Sequence, residues 1–137
     1  MLRTLTALLG LVALLAPSEA WFSTAYLNRK PLAITNPNGA ATNVPLLVRL
    51  NRTQLDFSRV LGAAGQDLLF VSGDDQRALP FELEQFSKSP LATAALSAWV
   101  RVPAVPAGAS TIFLYYNNAA AATGASRSNR TTVRFAS

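Results

Sequence analysis

The stretch Leu96-Ser-Ala-Trp-Val-Arg-Val-Pro-Ala-Val-Pro-Ala-Gly-Ala-Ser-Thr-Ile-Phe-Leu-Tyr-Tyr-Asn-Asn118 constrains this chain more than any other. Its two arms alternate in apolar character, and a connection rich in Pro, Ala, Gly and Ser separates them. A period of two sends successive side chains to opposite faces of a sheet, so each arm reads as a strand with one buried face. The pair is expected to be antiparallel and joined as a hairpin.

The same reading extends along the chain. Residues 31–35 form a short extended run closed by the turn cluster Asn36-Pro-Asn-Gly39. Residues 44–50 follow as a strand whose Pro45 places it at a sheet edge, because proline cannot donate to a ladder. Leu55-Asp-Phe57 is a short extended or turn segment before the loop Gly62-Ala-Ala-Gly65. Residues 67–72 and 79–86 are expected to make a hairpin around Gly73-Asp-Asp-Gln76. No stretch beyond residue 20 sustains a helical apolar period. The expected fold is all-β, an antiparallel β-sandwich or flattened barrel of about six to seven short strands.

Cys and His are both absent. Without Cys the core alone must stabilise an exported domain. The lack of both also removes the usual zinc and haem ligands, cysteine nucleophiles and every His-dependent triad. No cofactor and no metal centre is expected.

The amino-terminal end has its own pattern. Met1-Leu-Arg3 is a short basic start, residues 5–16 are rich in Leu, Ala and Val, and Pro17 breaks the run. Ser18-Glu-Ala20 then offers small residues at the positions a signal peptidase reads, with cleavage before Trp21. Retention as an anchor would need about 20 apolar residues, more than this run supplies. Residues 1–20 are therefore expected to be a secretory signal peptide, and the product to be exported to the periplasm or the outer face of a bacterial envelope. No later run is long enough to span a membrane.

Removing residues 1–20 takes one Arg and one Glu and leaves the net charge at +5. The basic residues are dispersed, so no stripe suggests a nucleic-acid face. Roughly 115 residues remain, enough for one domain with a real core. Residues 119–137 begin as an Ala/Ser/Asn/Thr-rich linker, and Thr132-Val-Arg-Phe135 resumes alternation. That last run is either an edge strand folding back or the start of a following domain, and the second is the expectation.

Several separated motifs share one resemblance. Trp21, Arg29-Lys-Pro-Leu32 and Val44-Pro-Leu-Leu-Val-Arg-Leu50 are similar to the opening of a known exported bacterial domain. Asp67-Leu-Leu-Phe-Val-Ser-Gly-Asp-Asp75, Leu79-Pro-Phe-Glu-Leu-Glu-Gln-Phe86, Ala98-Trp-Val-Arg-Val-Pro103 and Leu114-Tyr-Tyr-Asn-Asn118 are similar to its middle and end. The family is the domain of unknown function twenty-three forty-one, and the resemblance covers residues 21–118. It implies a domain placed just after a signal peptide. Concanavalin-A-like lectin or laminin-G-like domains often follow, and in many members a MotA/TolQ/ExbB-type proton-channel domain lies further on. The wording of residues 67–86 is nearest to that proton-channel subgroup. Tyr26 and Asn28 depart from the family's usual Trp and Tyr, and Asn117 stands where it usually has Gly. Asn is the non-glycine residue best suited to a positive φ, so the turn at Asn117 should persist.

Glu82 and Glu84 lie two apart on a strand, as paired carboxylates of a glycoside hydrolase would need to share a face. Their alternation with Leu79, Phe81 and Leu83 explains them more simply as the wet face of a half-buried strand. Asp74 and Asp75, with Asp67, offer oxygen ligands of the kind calcium takes. Their number is small for such a site, and Asp beside Gly73 serves a turn's own hydrogen bonds. Asn51-Arg-Thr53 and Asn129-Arg-Thr131 match a glycosylation acceptor pattern and are assigned no role.

Aromatic residues are the better candidates for contact. Trp99 and Arg101 share one strand face, and Phe113 and Tyr115 share a face of the next strand. If those faces adjoin, they make an aromatic patch with a cation, suited to a sugar or a partner. The alternative, and the expectation for Trp99, is burial beneath the facing sheet. The function expected is a non-catalytic exported envelope module that binds or spaces, the amino-terminal accessory part of a longer proton-channel-type biopolymer transport protein. Its partners would be downstream domains of the same polypeptide or envelope proteins. The alternative is a carbohydrate-binding or adhesion module of a secreted lectin-like protein, with a glycan as ligand.

Overall fold

The computed structural model describes residues 20–123. The signal-peptide segment, the second acceptor pattern at Asn129 and the run Thr132–Phe135 lie outside them. Seven strands form two sheets: β1 (Asn28–Asn36), β2 (Ala41–Asn51), β3 (Leu69–Val71), β4 (Ala78–Leu79), β5 (Phe81–Ser87), β6 (Ala95–Val105) and β7 (Gly108–Tyr116). One sheet has the order β1-β7-β3-β4 and the other β2-β6-β5. Every pairing is antiparallel. The two sheets stay separate, so the fold is a sandwich and not a closed barrel.

The arms of the 96–118 stretch do not pair with each other, which corrects the hairpin expected there. β6 runs between β2 and β5, and β7 between β1 and β3, in the opposite sheet. The same switch occurs from β1 to β2. Along β1 and β7 the register runs from Asn28↔Tyr116 to Asn36↔Gly108. Along β2 and β6 it runs from Ala41↔Val105 to Asn51↔Ala95. The chain thus makes one long two-stranded ribbon folded over at a corner, as strands do when they change sheets at a bend.

The corner has local causes. Val102 and Val105 are both buried although three residues apart, so the inward parity changes between them at Pro103. Asn43, across from Pro103, takes a left-handed φ of 50°. Asn36 ties the bend down, its side-chain amide donating to the carbonyls of Gly39 (3.2 Å) and Pro106 (3.2 Å). β4 passes to the other sheet as β5 directly after Pro80, whose carbonyl accepts from the Arg101 N–H at 2.9 Å. Of the hairpin expected between residues 67–72 and 79–86 only the turn end forms, through Phe70↔Leu79 and Val71↔Ala78, because the chain changes sheets at Pro80 and residues 81–86 pair with β6 instead.

Folding the ribbon turns one face of each arm inward. Leu96, Ala98, Val100 and Val102 meet Ile112, Leu114 and Tyr116 in a single core with Leu55, Phe57, Val60, Phe70, Leu79 and Phe81. Pro31 and Pro45 sit on the two edge strands β1 and β2, where the ladder needs no donor on the open side. A seam of about 460 Å³ lies between those edges, lined by Leu32, Ile34, Leu46 and Val48. A one-turn helix, α1 (Ala119–Ala122), follows β7 at the start of the stretch read as a linker, capped by the Asn118 side chain, with Ala121 buried. Among the described residues no helix is long and apolar enough to cross a membrane.

Candidate functional site

The outer face of the four-stranded sheet is covered by residues 21–27. At its centre Tyr115 is fully buried, 0 % exposed. The rings of Trp21, Phe22 and Tyr26 stand edge-on to it, with centroids 5.6, 6.5 and 5.7 Å away. The Tyr115 hydroxyl accepts from the Phe22 N–H at 3.0 Å and donates to Asp75 Oδ1. Asp75 Oδ2 accepts from Arg29 Nη1 in an ion pair. The Arg29 guanidinium lies between two rings, 4.3 Å from the Phe113 centroid and 5.2 Å from that of Trp21. Cation–π attraction strengthens as water is excluded, and here the ion pair and both stacks act on one group.

Burial, with the hydrogen bond to Asp75, pushes the Tyr115 phenol above its ordinary value of 10.0. Tyr26 is raised chiefly by burial, against a lowering hydrogen bond from Asn118, and Tyr116 chiefly by burial. The cluster is satisfied internally. It fastens the entering chain to the sheet.

Asp67 makes a second polar node. Its carboxylate, 0 % exposed, accepts from the backbone N–H groups of Leu61 (2.9 Å), Gly62 (2.9 Å), Asn117 (3.0 Å) and Asn118 (3.4 Å). It joins the loop before β3 to the turn after β7. Asn117 has the left-handed φ expected of it, 67°, and its side chain donates to Asn28 Oδ1 at 2.7 Å.

The three carboxylates considered for calcium are therefore occupied in different ways. Asp67 holds four backbone donors, and Asp75 holds Arg29 and Tyr115. Asp74 accepts from Ser72 Oγ and from the Gln76 N–H at 3.0 Å, bonds that lower its pKa below the ordinary 3.8. Turn chemistry accounts for Asp74. Among the described residues no group of three or more His, Cys, Asp or Glu is placed to hold a metal ion.

The four residues proposed for contact are not brought together. Trp99 and Arg101 lie on the outer face of β6 in the three-stranded sheet, whereas Phe113 and Tyr115 lie on the outer face of β7 in the other. The expected patch depended on β6 pairing with β7, and that pairing does not form. Trp99 is also not in the core. It is half-buried, opposite Leu47 on one side and Glu82 on the other. Leu47 is 38 % exposed, large for an aliphatic side chain. Glu84 stands at a bulge, where the register shifts between Leu83 and Gln85, and it accepts from Ser97 Oγ at 3.3 Å. The two glutamates occupy the wet side of β5.

Arg29 and the Trp21–Phe22–Tyr26 cover were absent from the sequence-derived candidates. Their partners lie up to 93 residues away, as with Phe22 and Tyr115. The only local signal was a dense aromatic run around Trp21, Phe22 and Tyr26 at the point where the chain enters the fold.

These features define an antiparallel β-sandwich module with one outer face covered by its own chain and, among the described residues, no segment covering the other. The model of a family described as a domain of unknown function (DUF2341) matches residues 64–136, a little over half of the chain. The chain belongs to that family. No curated protein and no solved structure matches it.

Proposed function

We propose that this domain is a non-catalytic module of the bacterial envelope, exported by residues 1–20, that presents a binding face. It would be the amino-terminal accessory part of a longer proton-channel-type (MotA/TolQ/ExbB-like) biopolymer transport protein. The observation that supports this best is the contrast between the two outer faces. One is covered by residues 21–27, while the other, with no covering segment among the described residues, leaves Leu47 exposed beside the half-buried Trp99, next to Arg101 and Glu82. An aromatic and an aliphatic side chain side by side on a sheet, bordered by charges, make the centre and rim of a protein contact.

A photo-crosslinking residue at position 47 in the intact polypeptide tests this reading. It should join the domain to one defined envelope protein or to another segment of the same chain. Trp99→Ala should abolish the product while the domain stays folded with a cooperative melt. A product that survives Trp99→Ala, or none from position 47, would refute the assignment. Mass spectrometry of the exported protein should show Trp21 as its first residue.

The second reading, a carbohydrate-binding or adhesion module, draws on the same face, since Trp99 beside Arg101 and Glu82 also suits a sugar ring. Binding of a purified glycan that is lost in Trp99→Ala, with no protein crosslink, would favour it.

A further inference from the structure

We propose that the folded corner of the ribbon carries a second binding site, one that takes a single neutral pyranose ring. The site is a cavity of about 390 Å³, near the lower end of the range for small-molecule pockets. It opens between the β3–β4 turn and the bend where β6 becomes β7. Ile34, Pro103 and Pro106 form an apolar side. Asp74, Gln76 and Arg77 face them from the turn, and β7 borders the cavity with Ser110, on the strand face of Ile112, and with Thr111.

The composition of the cavity selects the ligand. A pyranose has a C–H face that packs on aliphatic groups and a ring of hydroxyls that both donate and accept. Arg77 and Gln76 supply donors, Asp74 an acceptor, and the Ser110 hydroxyl either. Arg77 and Asp74 carry opposite charges at the same rim, so the cavity has no net charge to attract an ion. Asp75, the neighbouring acid, points to Arg29 on the sheet's other side. A neutral polyhydroxyl ligand matches this lining better than an anion or a cation.

The walls are set before any ligand arrives. Ser72 N–H donates to the Arg77 carbonyl at 2.8 Å, and Asp75 N–H to the Ser72 carbonyl at 2.9 Å. The Arg77 N–H donates to Ser72 Oγ at 3.1 Å, while Asp74 Oδ1 holds Ser72 Oγ and the Gln76 N–H. Gly73 presses on β7 so closely that a Cβ there would lie 2.2 Å from the Thr111 carbonyl oxygen. On the opposite wall, Asn36 holds Pro106. Ordering a preformed pocket costs little of the binding free energy.

Saturation-transfer NMR and calorimetry on the exported protein test the proposal. The probes are glucose, galactose, mannose and N-acetylglucosamine, with glucuronate and glucosamine as charged counterparts. At least one neutral sugar should bind saturably and should bind more tightly than either charged sugar. Arg77→Gln should weaken it at least tenfold while leaving the thermal melt unchanged, and Trp99→Ala should leave it unaltered. Arg59→Gln, an exposed arginine paired with Asp56, serves as the control. Three outcomes overturn the proposal: no neutral sugar binding at about 50 mM, binding indifferent to Arg77→Gln, or binding lost with Trp99→Ala. The last would move the sugar to the open sheet face.

Discussion

Replacing Asp67 should be the most damaging single polar substitution in the domain. Its carboxylate holds four backbone N–H groups, and those of Gly62 and Asn118 are in buried bonds, out of reach of water. Leu61 and Asn117 are only part-buried and can rehydrate. In Asp67→Ala each buried orphan donor costs about 1–3 kcal/mol, so the loss should be about 3 kcal/mol or more. In Asp67→Asn the shape is kept. The amide oxygen can occupy the Oδ2 position, which serves three of the donors, while the NH₂ group then faces the Gly62 N–H. Roughly half the damage, about 1–2 kcal/mol, should follow. Urea denaturation of the wild type and both variants reads these values directly. The alanine variant should also melt about 12–24 °C lower, at about 4–8 °C per kcal/mol for a domain of this size. Hydrogen exchange should accelerate first at Gly62 and Asn118. Should both variants fall within about 0.5 kcal/mol of wild type, the ordinary range of surface changes, the clamp would have no energetic role.

Trp99→Ala, on an outer face, should cost less than about 2 kcal/mol, whereas Leu114→Ala in the core should cost about 2–5 kcal/mol, and urea midpoints would separate them; equal losses would return Trp99 to the core. Arg29→Ala leaves Asp75 without its cation and removes a group stacked on two rings, which should cost about 3 kcal/mol. The same change should red-shift the Trp21 fluorescence as residues 21–27 loosen, and an unshifted spectrum would argue against the strap. Tyr26, Tyr115 and Tyr116 all have phenols raised above 10.0. Their neutral forms are favoured in the folded state, so this stability is complete below pH 10 and is lost as pH rises through the folded values. Thermal melts from pH 8 upward should stay level to about pH 10 and then decline, less steeply in Tyr116→Phe.

Alternation in the sequence located the strands because each has one face in the core. Residues 44–50 and 111–116 lie within β2 and β7, and 96–102 within β6. Pro45 was correctly a mark of an edge. Alternation does not say which strand lies beside which, however. Between β6 and β7 only Pro106 and Ala107 intervene, a length that fits a two-residue hairpin and a corner equally well. The legible clue was the change of parity from Val102 to Val105 with a proline between, which a hairpin arm has no reason to carry. Trp99 was expected in the core for a separate reason, its place beside Val100 and Val102 in a central strand; β6 is central, but alternation turns those valines inward and Trp99 to the outer face. Asp67 was visible as an acid but not as a clamp, because its donors come from residues 61, 62, 117 and 118 and converge only after folding.

The ribbon's open end has a mechanical consequence. β1 begins and β7 ends at the same pole, where Asn28 faces Tyr116 and the Leu27 N–H donates to the Asn117 carbonyl at 3.0 Å. Tension between residues 27 and 118 would therefore load the rungs of one antiparallel ladder in sequence rather than all at once. Each rung resists with only about 1 kcal/mol. The Asp67 clamp and the aromatic strap lie at that pole and would have to yield first. Once they did and the ribbon unzipped, the whole stretch between residues 27 and 118 would be released, about 300 Å of chain at roughly 3.3 Å per residue. Pulled by its two ends, such a module adds little length at rest and gives way as slack under load.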